Sequence, residues 1–125
     1  MIKAVLLIGF GGAIGSVFRY LSNMWVAKHF LHIFPLATLL VNIIGCLLIG
    51  LLVGIFEKNQ LNSRELQYLF ITGFCGGFTT FSAFALENVL LLQSHTALAF
   101  LYTALSIVVG IGAVWLGLYL SQLFY

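Results

Sequence analysis

The sequence predicts an all-α integral membrane protein with four transmembrane helices, the third of which is broken at its centre. Hydrophobic residues make up 62% of the 125 residues and charged residues 6%, whereas a typical soluble domain is about 25% charged. Four apolar segments are each long enough for a spanning helix, which needs about 20 residues. The third segment carries glycines at positions 73, 76 and 77, where a plain spanning helix would be rich in leucine.

The four predicted spans form a single membrane domain over residues 1–125. They cover about residues 4–27, 35–56, 65–92 and 96–124, with short connections between them. Lys3 precedes an apolar run longer than the core of a signal peptide, so we expect a retained first span. Pro35 suits the first turn of span 2. Ser63, followed by Arg64 and Glu65, predicts an N-cap before span 3.

The stretch from Thr72 to Phe84 is where we expect the break. Gly76 and Gly77 are free to leave helical dihedrals, and the β-branched Thr79 and Thr80 resist regular helix. Non-helical backbone at membrane depth is tolerated only where protein buries it or where it lines a polar cavity. The break therefore predicts an ion pathway or a bound ion.

Composition argues against an enzyme and against a nucleic-acid partner. The net charge is +2 and the sequence has no basic cluster. The histidines at positions 29, 32 and 95 lie in or near loops and lack partners at metal-ligand spacing. Cys46 and Cys75 fall inside apolar spans without C-x-x-C spacing, so they are interpreted as small buried hydrophobes.

Glycine spacing and charge bear on assembly. Pairs of glycines four residues apart, at 11/15, 50/54 and 73/77, let helix backbones approach closely in lipid. Packing inside one subunit is the simpler interpretation of each pair. Lys3, Lys58 and Arg64 share one side of the membrane, against Lys28 on the other, with Arg19 reaching towards it. This Lys/Arg bias is slight, so insertion in both orientations and an antiparallel dimer are compatible with the sequence.

Two polar side chains in the first two spans have open roles. Arg19 is either a functional charge at depth or an anchor that extends to the interface. Asn42, with Thr38 one turn earlier on the same face, either joins helices by hydrogen bonds or offers its N–H₂ group to an anion. Four helices leave little space for a water-filled route, so a conducting route would need a second copy of the chain.

A stripe along the second half of span 3 is the third candidate feature. Phe81, Phe84 and Glu87 recur at steps of three residues, and Ser82 lies beside them. Such a stripe usually packs in a core, but aromatic ring edges carry partial positive charge that can face an anion. On span 4, Tyr102 and Ser106 share a face and could extend the track of polar residues. Gly110 and Val114 continue that face and are not polar.

The residues resemble the CrcB/Fluc family of fluoride channels over nearly the full chain. Three motifs carry the resemblance, in order and in span: Gly11-Gly12-x-x-Gly15-x-x-x-Arg19-Tyr20, Thr38-Leu39-x-Val41-Asn42-x-x-Gly45, and Gly73-Phe74-Cys75-Gly76-Gly77-x-Thr79-Thr80-Phe81-Ser82-x-Phe84. The sequence departs from the family at Ala83, where threonine is more usual. It also departs at Gly110 and Val114, where the family's polar track usually continues.

The resemblance implies a passive, fluoride-selective channel that exports fluoride from the cytoplasm and relieves its toxicity. It further implies a multi-pass protein of the cell (inner or plasma) membrane and an antiparallel, dual-topology homodimer with two pores. A structural sodium ion (Na+) at the dimer centre would be held by the backbone carbonyls of Gly76 and Thr79. The implied pore residues are Thr38, Asn42, Phe81, Ser82, Phe84, Glu87, Tyr102 and Ser106, with Arg19 as a vestibule or anchor residue.

Two other functions remain as alternatives. Small dual-topology exporters of drugs or solutes also have four spans, but they depend on a carboxylate in the first span, and none lies there in this sequence. A scaffold without transport activity would make the phenylalanine stripe a packing feature only. Fluoride efflux from a reconstituted membrane tests the channel, whereas proton-coupled transport abolished by Glu87→Gln would favour the exporter, and Phe81→Ile and Phe84→Ile without any effect would favour the scaffold.

Overall fold

The computed structural model describes residues 1–59 and 63–124 as an all-α protein. The elements are α1 (Ile2–His29), α2 (Leu36–Lys58), α3 (Arg64–Leu66), a π-helix (Gln67–Cys75), α4 (Gly76–Phe78), α5 (Phe81–Ser94) and α6 (Thr96–Leu123). Four spans are long and apolar enough to cross a membrane: Ile2–His29, Leu36–Lys58, Arg64–Ser94 and Thr96–Leu123. The prediction of an all-α protein with four such helices is confirmed. Part of the predicted loop between Glu57 and Arg64 lies outside the described residues.

The helix ends follow local sequence chemistry. The Ser63 side chain accepts a hydrogen bond from the N–H of Leu66 at 3.5 Å, as the predicted N-cap requires. Lys28 and His29 occupy the last turn of α1, where the helix dipole favours positive charge. Pro35 is the N-cap of α2 and not a residue of its first turn. Its fixed φ, here −77°, suits either position.

The non-helical residues of the third span are Thr79 and Thr80, which are extended at φ −83°, ψ 159° and φ −149°, ψ 117°. Gly76 remains helical at φ −63°, ψ −37°, and Gly77 lies within α4. The expectation that Gly76 and Gly77 supply the non-helical dihedrals is therefore wrong. Branching at Cβ favours extended backbone, which agrees with the observed position at the two threonines.

The glycines of span 3 serve close packing against α1 instead. A Cβ on Gly77 would collide with the backbone of Gly12, and one on Gly11 would collide with the carbonyl oxygen of Leu69. Gly15 is equally close to the backbone of Phe74. The glycine pairs at 11/15 and 73/77 thus bring two helix backbones together inside one subunit, the simpler of the two interpretations.

Helices α2 and α6 form the most extensive helix pair. A Cβ on Gly50 would collide with the backbone of Val114, and one on Gly117 with the backbone of Leu47. Gly110 is buried, and a Cβ there would lie 3.6 Å from the Cys46 sulfur. Gly110 and Val114, the positions that are not polar, therefore lie where α6 packs on α2.

Neighbouring glycines of α1 provide a test of how closely α1 packs on the third span. We expect Gly11→Ala to destabilise the protein by about 1–3 kcal/mol, the usual range for overpacking a tight interior, because its methyl group meets backbone that cannot move aside. Gly12→Ala is the matched control, since its Cβ would lie 3.7 Å from the nearest atom, the Gly73 carbonyl oxygen. Thermal unfolding in detergent measures both. Equal melting temperatures for the two variants would contradict the packing.

Candidate functional site

The interruption at Thr79 and Thr80 is held by an amide from α2. The N–H of Thr80 donates to Asn42 Oδ1 at 2.8 Å, and Asn42 Nδ2 donates to the Thr80 carbonyl at 3.0 Å. The N–H and the hydroxyl of Thr79 both donate to the Cys75 carbonyl, at 3.0 and 2.9 Å. Backbone groups that leave a helix inside a membrane must find such partners. Asn42 therefore joins α2 to span 3, and its second N–H remains as a further donor.

Helix α1 reaches the same interruption from the other side. Arg19 Nη1 donates to the Thr79 carbonyl at 3.2 Å, and Ser16 Oγ lies 3.5 Å from the Gly77 carbonyl. A guanidinium is always charged and has no acceptor, so the Thr79 carbonyl faces a permanent positive charge. The sequence left Arg19 open between a functional charge and an anchor, and the structure places its side chain at the interruption.

Thr80 also starts the helix that follows. Its hydroxyl accepts from the N–H of Ala83 at 3.2 Å and lies 3.2 Å from the hydroxyl of Ser82. Sequence reasoning did not single out Thr80 as a site residue. Its place before a renewed apolar helix was a usable signal, because threonine is a preferred N-cap. Ser82, a predicted pore residue, lies on the exposed face of this first turn.

A cavity of about 560 Å³ opens beside the interruption. Six predicted site residues line it: Asn42, Gly76, Thr79, Phe81, Phe84 and Ser106. Sequence reasoning did not single out as site residues the other eight lining residues: Gly45, Cys46, Ile49, Ile71, Thr72, Cys75, Thr80 and Ile107. The Ser106 hydroxyl oxygen is buried and has no hydrogen-bond partner within the described part of the chain. The cavity is thus mostly apolar, with a few polar groups that converge on it, as in many ligand sites.

Aromatic rings lead away from this cavity. The Phe81 and Phe84 ring centroids are 5.6 Å apart, and that of Phe84 is 5.1 Å from that of Tyr102. Tyr102 in turn meets Phe34 edge-on at 5.5 Å. Phe81 is 79% exposed, whereas Tyr102 is fully buried. The stripe therefore runs from the exposed mouth of the cavity to a buried hydroxyl.

Glu87 lies at the inner end of these rings and joins three spans. Thr38 Oγ1 donates to Glu87 Oε1 at 2.6 Å, and the Tyr102 hydroxyl donates to Glu87 Oε2 at 2.7 Å. Hydrogen bonds to an ionised carboxylate are short and strong. Thr38 and Tyr102 are both buried. Three residues predicted separately on spans 2, 3 and 4 thus form one hydrogen-bonded group.

Asn88 makes a second connection between α5 and α6. Its Nδ2 donates to the Phe84 carbonyl at 3.0 Å, and its Oδ1 accepts from Thr103 Oγ1 at 2.9 Å. Thr103 was not predicted, and its sequence position carried no signal for this contact. The pair holds the helix that carries both stripe phenylalanines.

The fold and this site define a multi-pass membrane protein with a mostly apolar cavity, into which a few polar groups converge, beside an interrupted span. Residues 6–118 match the family model described as CrcB-like protein, Camphor Resistance (CrcB). The chain belongs to the CrcB family, as the motifs predicted. Membership also supports the prediction that the chain is not an enzyme.

Relatives of similar length carry one name. A protein of Flavobacterium psychrophilum named "Fluoride-specific ion channel FluC" is 49% identical over 121 residues, covering 96% of this chain and 98% of the relative. Relatives with the same name from Azobacteroides pseudotrichonymphae and Gloeothece citriformis are each 45% identical, covering 99% and 94% of this chain and 100% and 96% of the relatives.

Proposed function

We propose that the chain forms a passive, fluoride-selective channel that exports fluoride from the cytoplasm across the cell (inner or plasma) membrane and so relieves its toxicity. The observation that carries the proposal is the cavity at the interrupted span, lined by Asn42, Ser106 and the two phenylalanines. Its chemistry fits a small anion, since amide and hydroxyl donors and ring edges all present partial positive charge. The name shared by the relatives supports the same function.

Fluoride holds its water tightly, so a route must replace that hydration with donors. Asn42 retains one N–H, and the Ser106 hydroxyl is uncommitted within the described residues. Beyond the phenylalanine rings, the hydroxyls of Thr38 and Tyr102 each donate a hydrogen bond to Glu87. Ser82 lies near the mouth. Each hydroxyl has a single hydrogen, so an anion that reaches this point would have to take that hydrogen bond from Glu87.

The working unit proposed here is an antiparallel, dual-topology homodimer with two pores. A single copy leaves Phe81 largely exposed, and its cavity opens on the outer face of the subunit. A second copy would complete the wall that this one lacks. The small Lys/Arg bias of the sequence is compatible with insertion in both orientations.

A structural sodium ion at the dimer centre is the proposed cofactor, and the carbonyls of Gly76 and Thr79 fit it. The N–H of Thr80, which would donate to the Gly76 carbonyl in a continued helix, is bonded to Asn42 instead. The Thr79 carbonyl accepts one hydrogen bond from Arg19 and keeps a second lone pair. Two copies would offer four oxygens, the ligand type of hard cations. Bound there, the ion would supply fixed positive charge and join the two interrupted spans.

Flow through the channel is driven by the fluoride gradient and by the membrane potential. Fluoride enters the cell as neutral HF, ionises inside, and leaves as the anion down its gradient. A negative-inside potential adds about 2.3 kcal/mol per charge for each 100 mV. No covalent step and no energy source are needed.

Reconstitution tests the function directly. Purified protein in liposomes loaded with fluoride should release it rapidly when a potassium ionophore balances the charge, while chloride should remain inside. Liposomes without protein give the background. Absence of fluoride release, or equal release of chloride, would reject the proposed function.

The hydroxyls on Glu87 give a further prediction. We expect Tyr102→Phe to slow fluoride efflux about tenfold, the equivalent of about 1.4 kcal/mol, because it removes a donor and leaves the carboxylate less neutralised. Tyr119→Phe is the matched control on the same helix, since Tyr119 is 48% exposed and stacks on Trp115. Efflux from liposomes measures both variants. Unchanged efflux in Tyr102→Phe would remove this hydroxyl from the route.

A further inference from the structure

Asn42 intercepts a hydrogen bond that would otherwise continue the helix. In an α-helix each N–H donates to the carbonyl four residues earlier, and Thr79 still follows this rule by donating to Cys75. The next N–H, that of Thr80, would donate to the Gly76 carbonyl. It donates to Asn42 Oδ1 at 2.8 Å instead. The helical hydrogen-bond pattern therefore ends at Thr80, because its N–H donates to the Asn42 side chain.

The same amide also holds the carbonyl of Thr80. With one donated and one accepted bond, Asn42 pairs with Thr80 as a neighbouring strand would. This pairing fits the extended dihedrals of Thr80, φ −149° and ψ 117°. Threonine alone has only a weak preference against helix, so the two hydrogen bonds to the buried backbone are the stronger constraint.

We infer that Asn42 is a positioning residue for the cation site: it keeps the Gly76 carbonyl free of its helical donor and so available to sodium. The inference rests on the proposed sodium site and assigns to Asn42 a task separate from lining the pore. The Oδ1 atom serves the cation site through Thr80, whereas the amide N–H that remains faces the cavity. An aspartate separates the two tasks in part: it keeps Oδ1 as the acceptor for the Thr80 N–H, but it loses Nδ2, which supplies both the bond to the Thr80 carbonyl and the N–H that remains.

The test compares sodium binding in three purified variants in detergent, with N-methylglucamine replacing sodium in the reference buffer. The readouts are the rise in melting temperature with sodium and the sodium concentration at half-effect. We expect Asn42→Asp to respond at a lower sodium concentration than Asn42→Leu, because the aspartate keeps the acceptor for the Thr80 N–H although it no longer donates to the Thr80 carbonyl. We expect Asn42→Leu, which cannot accept from Thr80, to need at least about tenfold more sodium, as is usual when the partner of a metal ligand is lost. Asn59→Leu, which removes an amide near the end of the same helix, should respond like wild type.

The outcomes distinguish the positioning role of Asn42 from the proposed sodium site itself. A wild-type protein without any sodium response would overturn both. A normal response in Asn42→Leu would overturn the positioning role and leave the sodium site standing. A response in Asn42→Asp that is no stronger than in Asn42→Leu would also overturn it, since only Asn42→Asp retains the acceptor for the Thr80 N–H. If Asn42→Leu does not fold, Asn42→Ala removes the same acceptor with less bulk and takes its place.

Discussion

Fluoride efflux through Asn42→Asp is expected to fall to about a thousandth of the wild-type rate. A negative charge about 4 Å from a passing anion costs about 4 kcal/mol at an effective dielectric constant of about 20, and each 1.36 kcal/mol or so is a factor of about ten in rate. Asn42 lines the cavity beside Phe81, so the charge lies on the proposed route. The carboxylate still accepts from the Thr80 N–H but no longer donates to the Thr80 carbonyl, so the melting temperature of the variant is measured beside its efflux. Efflux from liposomes provides the measurement.

The same substitution elsewhere on α2 is the control. Asn59 lies about 25 Å further along the helix, more than a Debye length of about 10 Å at ordinary salt. Its side chain caps the Ile55 carbonyl and makes no contact with the cavity lining. Asn59→Asp should therefore leave efflux unchanged. Efflux at the wild-type rate in Asn42→Asp would show that Asn42 does not line the anion route.

Replacing the stripe phenylalanines is expected to have the second-largest effect. Phe81→Ile and Phe84→Ile should each lower efflux at least about tenfold, because isoleucine keeps an apolar side chain but has no positive ring edge. That factor corresponds to about 1.4 kcal/mol, within the usual range of about 0.5–1.5 kcal/mol for specific aromatic interactions. Single-variant efflux rates, each normalised to reconstituted protein, provide the measurement.

Phe100→Ile serves as the matched control for this pair. Phe100 is 68% exposed on α6 and is absent from the cavity lining, so efflux should not change. If both stripe variants conduct like wild type, the rings act only in packing. A loss in all three variants would indicate a general effect of isoleucine on the fold.

Hydropathy predicted the four spans because each spanning helix needs its own run of about 20 apolar residues. The predicted limits of about 4–27 and 96–124 lie within a few residues of Ile2–His29 and Thr96–Leu123. The position of the non-helical residues was less accessible. Glycine frees the backbone but equally permits close packing, and only the neighbouring helix decides between these uses. Gly77 packs on Gly12, so the extended residues are the threonines.

The polar residues were predictable as candidates but not as partners. Membrane-embedded Asn42 and Glu87 stood out because such groups are costly in lipid. Their partners depend on how helices lie side by side, which one sequence does not encode in its spacing. The bond from Asn42 goes to the backbone of Thr80, and backbone atoms leave no trace in residue type. The π-helix of span 3 likewise had no sequence signal.

That π-helix, the nine residues Gln67–Cys75, makes the length of this segment matter as much as its composition. A π-helix spreads its turns over more residues than an α-helix does. If the same nine residues rewound as an α-helix, which turns by about 100° per residue, everything after them would rotate around the helix axis. Gly77 would then face away from Gly12, and Thr79 would face away from Arg19. Side chains in this segment can therefore vary only where close contacts such as that of Gly73 with α1 allow it, and a relative with a plain α-helix here should have one residue fewer.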